Sequence, residues 1–158
     1  MNDVVALTES DAGELLTLQR GAYVTEAQAH DDPRLPPLVE TLDDLRSALT
    51  DPAVTTLGIR DTTARLVASV RLTLRTGEGW AELGRLMVAP DLQGRGLGGR
   101  LLDVVDDHLP ARVVGVRLFT GERSPANLRL YARHGYEETG REQTPAGYAV
   151  VHLVKRLR

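Results

Sequence analysis

The sequence predicts a mixed α/β fold with a largely antiparallel central sheet flanked by helices. Three observations carry this. Between residues 54 and 88, apolar side chains recur at every second position in three successive runs, the period of half-buried strands. Before and after that block they recur at three-to-four spacing, the period of one helix face. Two closing runs, YEETGREQ and YAVVHLVKR, flank a turn around Pro145–Gly147 and so read as an antiparallel hairpin.

Taken in order, Asp3–Leu7 reads as a short first strand. In ESDAGELLTLQRGAYVTEAQ, the residues Ala12, Leu15, Leu16, Leu18, Ala22 and Tyr23 fall roughly on one helix face, with Ser10 or Asp11 as cap. HDDPRLPPL breaks the pattern: prolines at 33, 36 and 37 fix their own φ and push the residue before them out of the helical region, so an extended, irregular segment is expected. Leu42–Leu49 forms a second short helix behind Thr41, its cap.

VTTLGIR, RLVASVRLTLR and GWAELGRLMV make a three-strand meander, with turns at Asp61–Thr63 and Gly77–Gly79. In the second, Ala68, Val70, Leu72 and Leu74 share one face and Ser69, Arg71 and Thr73 the other. Leu97–Leu109 is a helix with Leu97, Leu101, Val104, Val105 and Leu109 on one stripe, stopped by Pro110. RVVGVRLFT is a strand. SPANLRLYARHG is a helix, with Ser124 as cap, Pro125 at its first position and Gly135 closing it.

A chain of 158 residues is long enough for one well-packed domain, and 42% apolar with 26% charged side chains is an ordinary globular mixture. A net charge of −3 supplies no basic field for nucleic acid. No run approaches the roughly 18 apolar residues of a membrane span. MNDVVALTES is acidic and lacks the long apolar stretch of a signal peptide. Cysteine is absent, which excludes disulfides, thiolate metal sites and a cysteine nucleophile, and is compatible with the cytoplasm.

The segment APDLQGRGLGGRLL places Gly94, Gly96, Gly98 and Gly99 at a helix start. Glycine costs about 1 kcal/mol relative to alanine inside a helix, so four of them need a reason. Glycine serves where backbone must approach a ligand closely, and the first turn of a helix has amide N–H groups without partners; together they suggest a phosphate cradle. Residues 94–99 also match G-x-G-x-x-G, with Glu122 at about the distance of a ribose-binding acid. Two features argue against a dinucleotide site: Ala89–Gln93 separate the glycines from the preceding strand, and the strands before them form a meander rather than repeated parallel βαβ units. No Gly-Lys-Ser/Thr occurs, so the Walker A pattern fails as well.

LMVAPDLQGRGLGGRLL resembles the coenzyme A loop of the GNAT superfamily of acyltransferases, Gln/Arg-x-x-Gly-x-Gly/Ala, at Gln93, Gly96 and Gly98, with the usual Val88-x-Pro90 before it. NLRLYARHGY resembles the superfamily's second motif, Leu-Tyr-x-x-x-Gly-Phe/Tyr, at Leu130, Tyr131, Gly135 and Tyr136. The resemblance is good from about residue 54 onward and loose over the first 50.

The resemblance implies the GNAT acyl-CoA N-acyltransferase fold in a single domain, 1–158, with acceptor-side helices and a lid in 1–52 and the cofactor-binding sheet, helices and C-terminal hairpin in 54–158. It implies acetyl transfer from acetyl-CoA to a primary amine of a small molecule or peptide. Backbone at Leu86, Met87 and Val88 would pair with pantetheine, with the N–H of Met87 or Val88 near the thioester oxygen. Amides of Gln93, Gly94, Arg95, Gly96, Leu97 and Gly98 would bind pyrophosphate, aided by the helix dipole.

Ser124 stands where many members carry a cofactor-contacting asparagine. Tyr131 holds the family's position for the acid that protonates the leaving thiolate. Glu82, eleven residues before Gln93, holds the position where some members carry a catalytic base. In a period-two strand it shares a face with Leu86 and Val88, and a solvated or ion-paired strand glutamate is the equally simple account. Tyr23, Glu26 and His30 lie in the segment that usually builds the acceptor pocket.

Without cysteine, direct attack of the amine is simpler than a covalent intermediate. No metal is expected, because adjacent residues such as His30-Asp31-Asp32 rarely converge on one ion. The acids Glu26, Asp31, Asp32, Glu40, Asp43 and Asp44 would suit a cationic amine; an acidic surface accounts for them equally well. Two other readings stay open, a non-catalytic acyl-CoA-binding sensor and a dinucleotide-binding oxidoreductase, and so does a homodimer.

Overall fold

The computed structural model describes residues 3–75, 77 and 79–157. Its seven strands are β1 (Val4–Ala6), β2 (Val54–Arg60), β3 (Leu66–Thr73), β4 (Trp80–Val88), β5 (Gly115–Gly121), β6 (Glu137–Gln143) and β7 (Ala149–Arg156). They form one sheet in the order β1-β2-β3-β4-β5-β7-β6, antiparallel throughout except between β4 and β5. The helices are α1 (Ala12–His30), α2 (Pro36–Val39), α3 (Leu42–Thr50), α4 (Leu97–Val105) and α5 (Pro125–Arg133). This is the mixed, largely antiparallel architecture that the two sequence periods predict. Glu78, in the turn expected at Gly77–Gly79, lies outside the described residues.

Four local readings change. Residues 36–39 form one helical turn where prolines led to an extended segment; Pro36 and Pro37 take the first helical positions, where a missing N–H breaks no bond. The helix expected over 97–109 is α-helical only to Val105 and tightens to a 3-10 turn at Asp106–His108. A 3-10 turn at Glu9–Asp11 precedes α1, and Asp11 reaches back to accept from Thr8 N–H at 2.8 Å rather than capping forward. Ser124 stands at the start of α5, yet its hydroxyl makes no cap bond and instead donates to Glu26. Thr41 caps α3 as expected: Thr41 Oγ1 accepts from Asp44 N–H at 3.2 Å while Asp44 accepts from Thr41 N–H at 2.8 Å.

One sheet face carries Ala68, Val70, Leu72, Ala81 and Leu83, which are buried with Leu101, Leu102 and Val105 of α4 in the core. Full burial of each valine or leucine among them contributes roughly 1.5–3 kcal/mol. The other face is partly covered by α1, which packs against β3 and β4.

The decisive irregularity lies in β4. Arg71 pairs with Gly84, but Ser69, two residues earlier, pairs with Met87, so β4 carries one extra residue there. Arg85 sits in that bulge with φ of 52°, a left-handed conformation that is costly for a side-chain-bearing residue. A one-residue slip reverses every following side chain. Val88 therefore pairs with Ala68 on the α4 face, while Glu82 pairs with Thr73 on the opposite one. The expectation that Glu82 shares a face with Leu86 and Val88 is thereby corrected.

Candidate active site

β4 and β5 run parallel but pair at three positions only, Trp80↔Gly115, Ala81↔Val116 and Glu82↔Arg117. Beyond Glu82 they diverge, and the remainder of β4 keeps a neighbour on its β3 side alone. Ala89 N–H donates to Val67 O at 2.8 Å, toward β3. Strand alternation then turns Met87 toward β3 as well, and turns the Val88 N–H into the gap. The gap-facing carbonyls carry side-chain partners: Tyr23 of α1 donates its hydroxyl to Leu86 O at 3.2 Å, and Gln93 Nε2 donates to Val88 O at 3.4 Å. Of the Met87 and Val88 amides, the Val88 N–H is the one that points into the gap.

The glycine segment follows directly. Gly94 and Gly96 have φ of +79° and +83°, and Gly96 is the residue from which α4 starts. No side chain or backbone stands within 4 Å of where their Cβ atoms would be, so both face open space. Gly98 and Gly99 have a different job. A Cβ on Gly98 would meet Leu130 Cδ2 at 3.2 Å, and one on Gly99 would meet His134 Cε1 at 3.2 Å, so these two let α4 approach α5 closely. The turn before the glycines is anchored by a two-pronged Arg65–Asp91 pair at 2.7 and 2.9 Å, which holds the Asp91 carboxyl down at about 2.

Together these elements enclose a cleft of about 370 Å³ between α1, the end of β4, the start of α4 and α5. Of the predicted residues, Tyr23, Glu26, Leu86, Met87, Val88, Gln93, Gly94, Gly96, Leu97 and Gly98 line it. Tyr131 lies buried beside it, stacked edge-on against Tyr136 at 5.7 Å, and its hydroxyl has no hydrogen-bond partner among the described residues. Burial raises its pKa far above the usual tyrosine range, and Tyr23, Tyr136 and Glu26 reinforce that shift. Burial pushes Tyr23 up to about 12. Glu26 accepts from Ser124 Oγ and, at 3.4 Å, from Asn127 Nδ2.

Asn127 and Arg133 also line the cleft and are the functional candidates that the sequence reading missed. A signal existed: on α5, Asn127 lies four residues before Tyr131, and Arg133 lies three after Leu130, both on neighbouring helical faces.

Other predicted residues go elsewhere. His30 is 2% exposed; its Nε2 accepts from Arg123 N–H at 3.0 Å, which leaves the proton on Nδ1, donated to Glu26 O at 2.9 Å. It is packed under Gly121, whose Cβ would overlap its ring, and so does not line the cleft. Ser124 is buried with its hydroxyl committed to Glu26. Arg95 is exposed and does not line the cleft.

Glu82 opens instead into a second cavity, of about 620 Å³, on the opposite sheet face, where Arg117 Nη2 donates to it at 3.0 Å. Glu122 is held by the Ala149 N–H and lies 3.8 Å from Arg141, on the β7 side of β5; it does not serve the glycine segment. Together with the antiparallel sheet, this removes the structural basis for a dinucleotide site. Among the described residues, no group of three or more His, Asp or Glu could hold a metal ion, and no helix is long and apolar enough to cross a membrane.

Comparison with known proteins follows the same lines. The model of the acetyltransferase (GNAT) family matches residues 15–136. An S-(2-succino)cysteine N-acetyltransferase of Bacillus subtilis is 26% identical over 102 residues, covering 60% of this chain and 62% of its own length. The chain thus matches less than two thirds of that relative. The ribosomal-protein-S18-alanine N-acetyltransferase of Escherichia coli superposes with a TM-score of 0.81 at 19% identity, over 99% of this chain and 94% of its own. A GNAT-family acetyltransferase of Streptococcus pneumoniae superposes with a TM-score of 0.78 at 15% identity, over 100% of both chains. At these identities the two structures speak for the fold alone.

Proposed function

The chain belongs to the GNAT acetyltransferase family, and we propose that it transfers an acetyl group from acetyl-CoA directly to a primary amine. The observation that supports this best is the junction of an open β4 edge with a glycine-rich helix start. The Val88 N–H faces the gap left by β5, and a few residues later Gly94 and Gly96 present bare backbone to the same cleft. The first supplies a donor for a polarised carbonyl, and the second supplies amides and a helix dipole for a pyrophosphate. Arg133 stands in the same cleft to add charge.

Acetyl-CoA supplies the activated thioester carbonyl; the residues supply orientation and two proton transfers. As the C–N bond forms and the C–S bond breaks, Tyr131 gives its proton to the departing sulfur. Its raised pKa means that the hydroxyl is protonated across the neutral range. Glu82 takes the proton lost by the attacking ammonium. Its position on the second cavity lets the amine arrive from the sheet face opposite the cleft, and β4 is shared by both openings: Leu86–Val88 line one and Leu83–Arg85 the other. In this reading the N-terminal helices, residues 1–52, shape the acceptor side.

Thermal unfolding with acetyl-CoA, coenzyme A and NAD in parallel tests the reading. A ligand at 100 times its Kd adds about 2.7 kcal/mol of stability, several degrees for a chain of this size. A rise with acetyl-CoA and none with NAD is expected; no rise with either form of coenzyme A at millimolar concentration overturns the proposal.

A further inference from the structure

The cavity on the far side of β4 has an excess of positive charge. Arg71, Arg85 and Arg117 line it. Glu82 and Glu40 are carboxylates among the described residues that face them. Glu82 accepts from Arg117 at 3.0 Å. Glu40, at the end of α2, is shared: its Oε1 accepts from Arg85 Nε at 2.9 Å and from Gln19 Nε2 at 2.9 Å, while its Oε2 stands 3.7 Å from Arg71 Nη1.

Arg71 is the residue left short. A guanidinium carries five N–H donors in a planar fork. The Arg71 side chain is only 18% exposed, and among the described residues its one polar contact is that 3.7 Å ion pair. Glu40, shared with Arg85 and Gln19, meets this guanidinium at one long contact, so most of its five N–H donors are left for a further anion. Arg71 stands on the strand next to β4, within electrostatic reach of Tyr23, whose hydroxyl marks the open β4 edge.

Several of the acidic residues that would suit a cationic acceptor have local partners. Asp32 accepts from the Tyr148 hydroxyl at 2.6 Å, Asp44 caps α3, and Glu26 is held by Ser124 and Asn127.

We propose that the acceptor carries a carboxylate as well as its amine, and that Arg71, backed by Arg85, binds this carboxylate in the second cavity and so aims the amine at the gap between β4 and β5. This rests on the acetyl-transfer reading. The fork of Arg71 suits two-pronged recognition of a carboxylate. Exposed Phe119, its ring 6.1 Å from that of His152, forms an apolar wall for the remainder of the molecule. A cavity of about 620 Å³ accommodates an amino acid.

The test compares L-glutamate and L-methionine with their α-amides and with spermidine, as acceptors and in direct binding titrations of the protein with coenzyme A, for the wild type, Arg71→Gln and Arg71→Lys. Acetyl-CoA affinity is measured separately for each. Expected is tighter binding of the free acids than of their amides, weakened at least 10-fold by Arg71→Gln and partly restored by Arg71→Lys, with acetyl-CoA affinity unchanged. No saturable binding of either acid, equal binding of acid and amide, indifference to Arg71→Gln, or a preference for spermidine overturns the inference. Failure to bind acetyl-CoA overturns the acetyl-transfer reading instead, which keeps the two apart.

Discussion

The hydroxyl of Tyr23, on α1, donates to the main-chain oxygen of Leu86, on β4, at 3.2 Å. A helix side chain thus clasps the strand at the point where β5 has left it. Burial holds the Tyr23 pKa at about 12, so the hydroxyl remains a donor across the neutral range. Tyr23→Phe keeps the buried ring and removes this one bond. The expected loss is about 1 kcal/mol, seen as a melting temperature about 2–4 °C lower; an unchanged melting temperature would show that the clasp contributes nothing.

Tyr131→Phe leaves the packing against Tyr136 and removes the proposed acid. Turnover should fall by roughly 10²–10⁴-fold, the usual range for a positioned proton donor, with the Kd for acetyl-CoA altered less than threefold. Steady-state kinetics beside a binding titration separate the two quantities. Equal losses in both would move Tyr131 from chemistry to binding.

Gly96→Ala probes the backbone rather than the space, since nothing stands within 4 Å of the new methyl group but φ is +83°. Holding alanine in that conformation costs about 1–2 kcal/mol. Thermal melts should report this, and titration should report weaker acetyl-CoA binding, because relaxation at residue 96 turns the first amides of α4 away from the cleft.

Glu40→Gln tests the shared carboxylate. Burial alone would raise the Glu40 pKa, but the Arg85 bond and charge, the Gln19 bond and Arg71 outweigh it, and the net shift is downward. A depressed carboxyl pKa contributes stability that is fully present above the unfolded value of about 4.3 and is lost as pH falls through the folded value. The variant should therefore be less stable than the wild type by about 2 kcal/mol at neutral pH, and the gap should narrow as pH drops below about 4.3. Denaturant melts at pH 7, 5 and 3.5 measure it. A gap that stays constant with pH would mean that the charge of Glu40 is not what matters.

Legibility followed periodicity. β2, β3 and β4 could be read because one face of each strand is apolar, and the final hairpin because β7 alternates and its turn carries proline and glycine, although β6 is exposed throughout. The glycine segment could be read because positive φ at Gly94 and Gly96 demands the residue that tolerates it. The bulge at Arg85 was missed: Gly84 inside AELGRLMV is the kind of strand glycine that accompanies a bulge, but it does not fix where the extra residue falls, and that single step put Glu82 and Val88 on opposite faces. His30 looked like an acceptor-side ligand because burial by Gly121 and the Arg123 amide comes from residues some 90 positions away. The second cavity was invisible for the same reason, since its arginines arrive from β3, β4 and β5 and meet only in the sheet.

The most direct measurement is thiol release from acetyl-CoA, followed with and without a panel of primary amines, in the wild type and in Tyr131→Phe. The account predicts release that depends on an added amine, yields the acetylated amine by mass spectrometry, and slows at least 100-fold in the variant. Saturable acetyl-CoA binding without amine-dependent release, equal in both proteins, would contradict it and would identify the chain as a sensor of acyl-CoA rather than an enzyme.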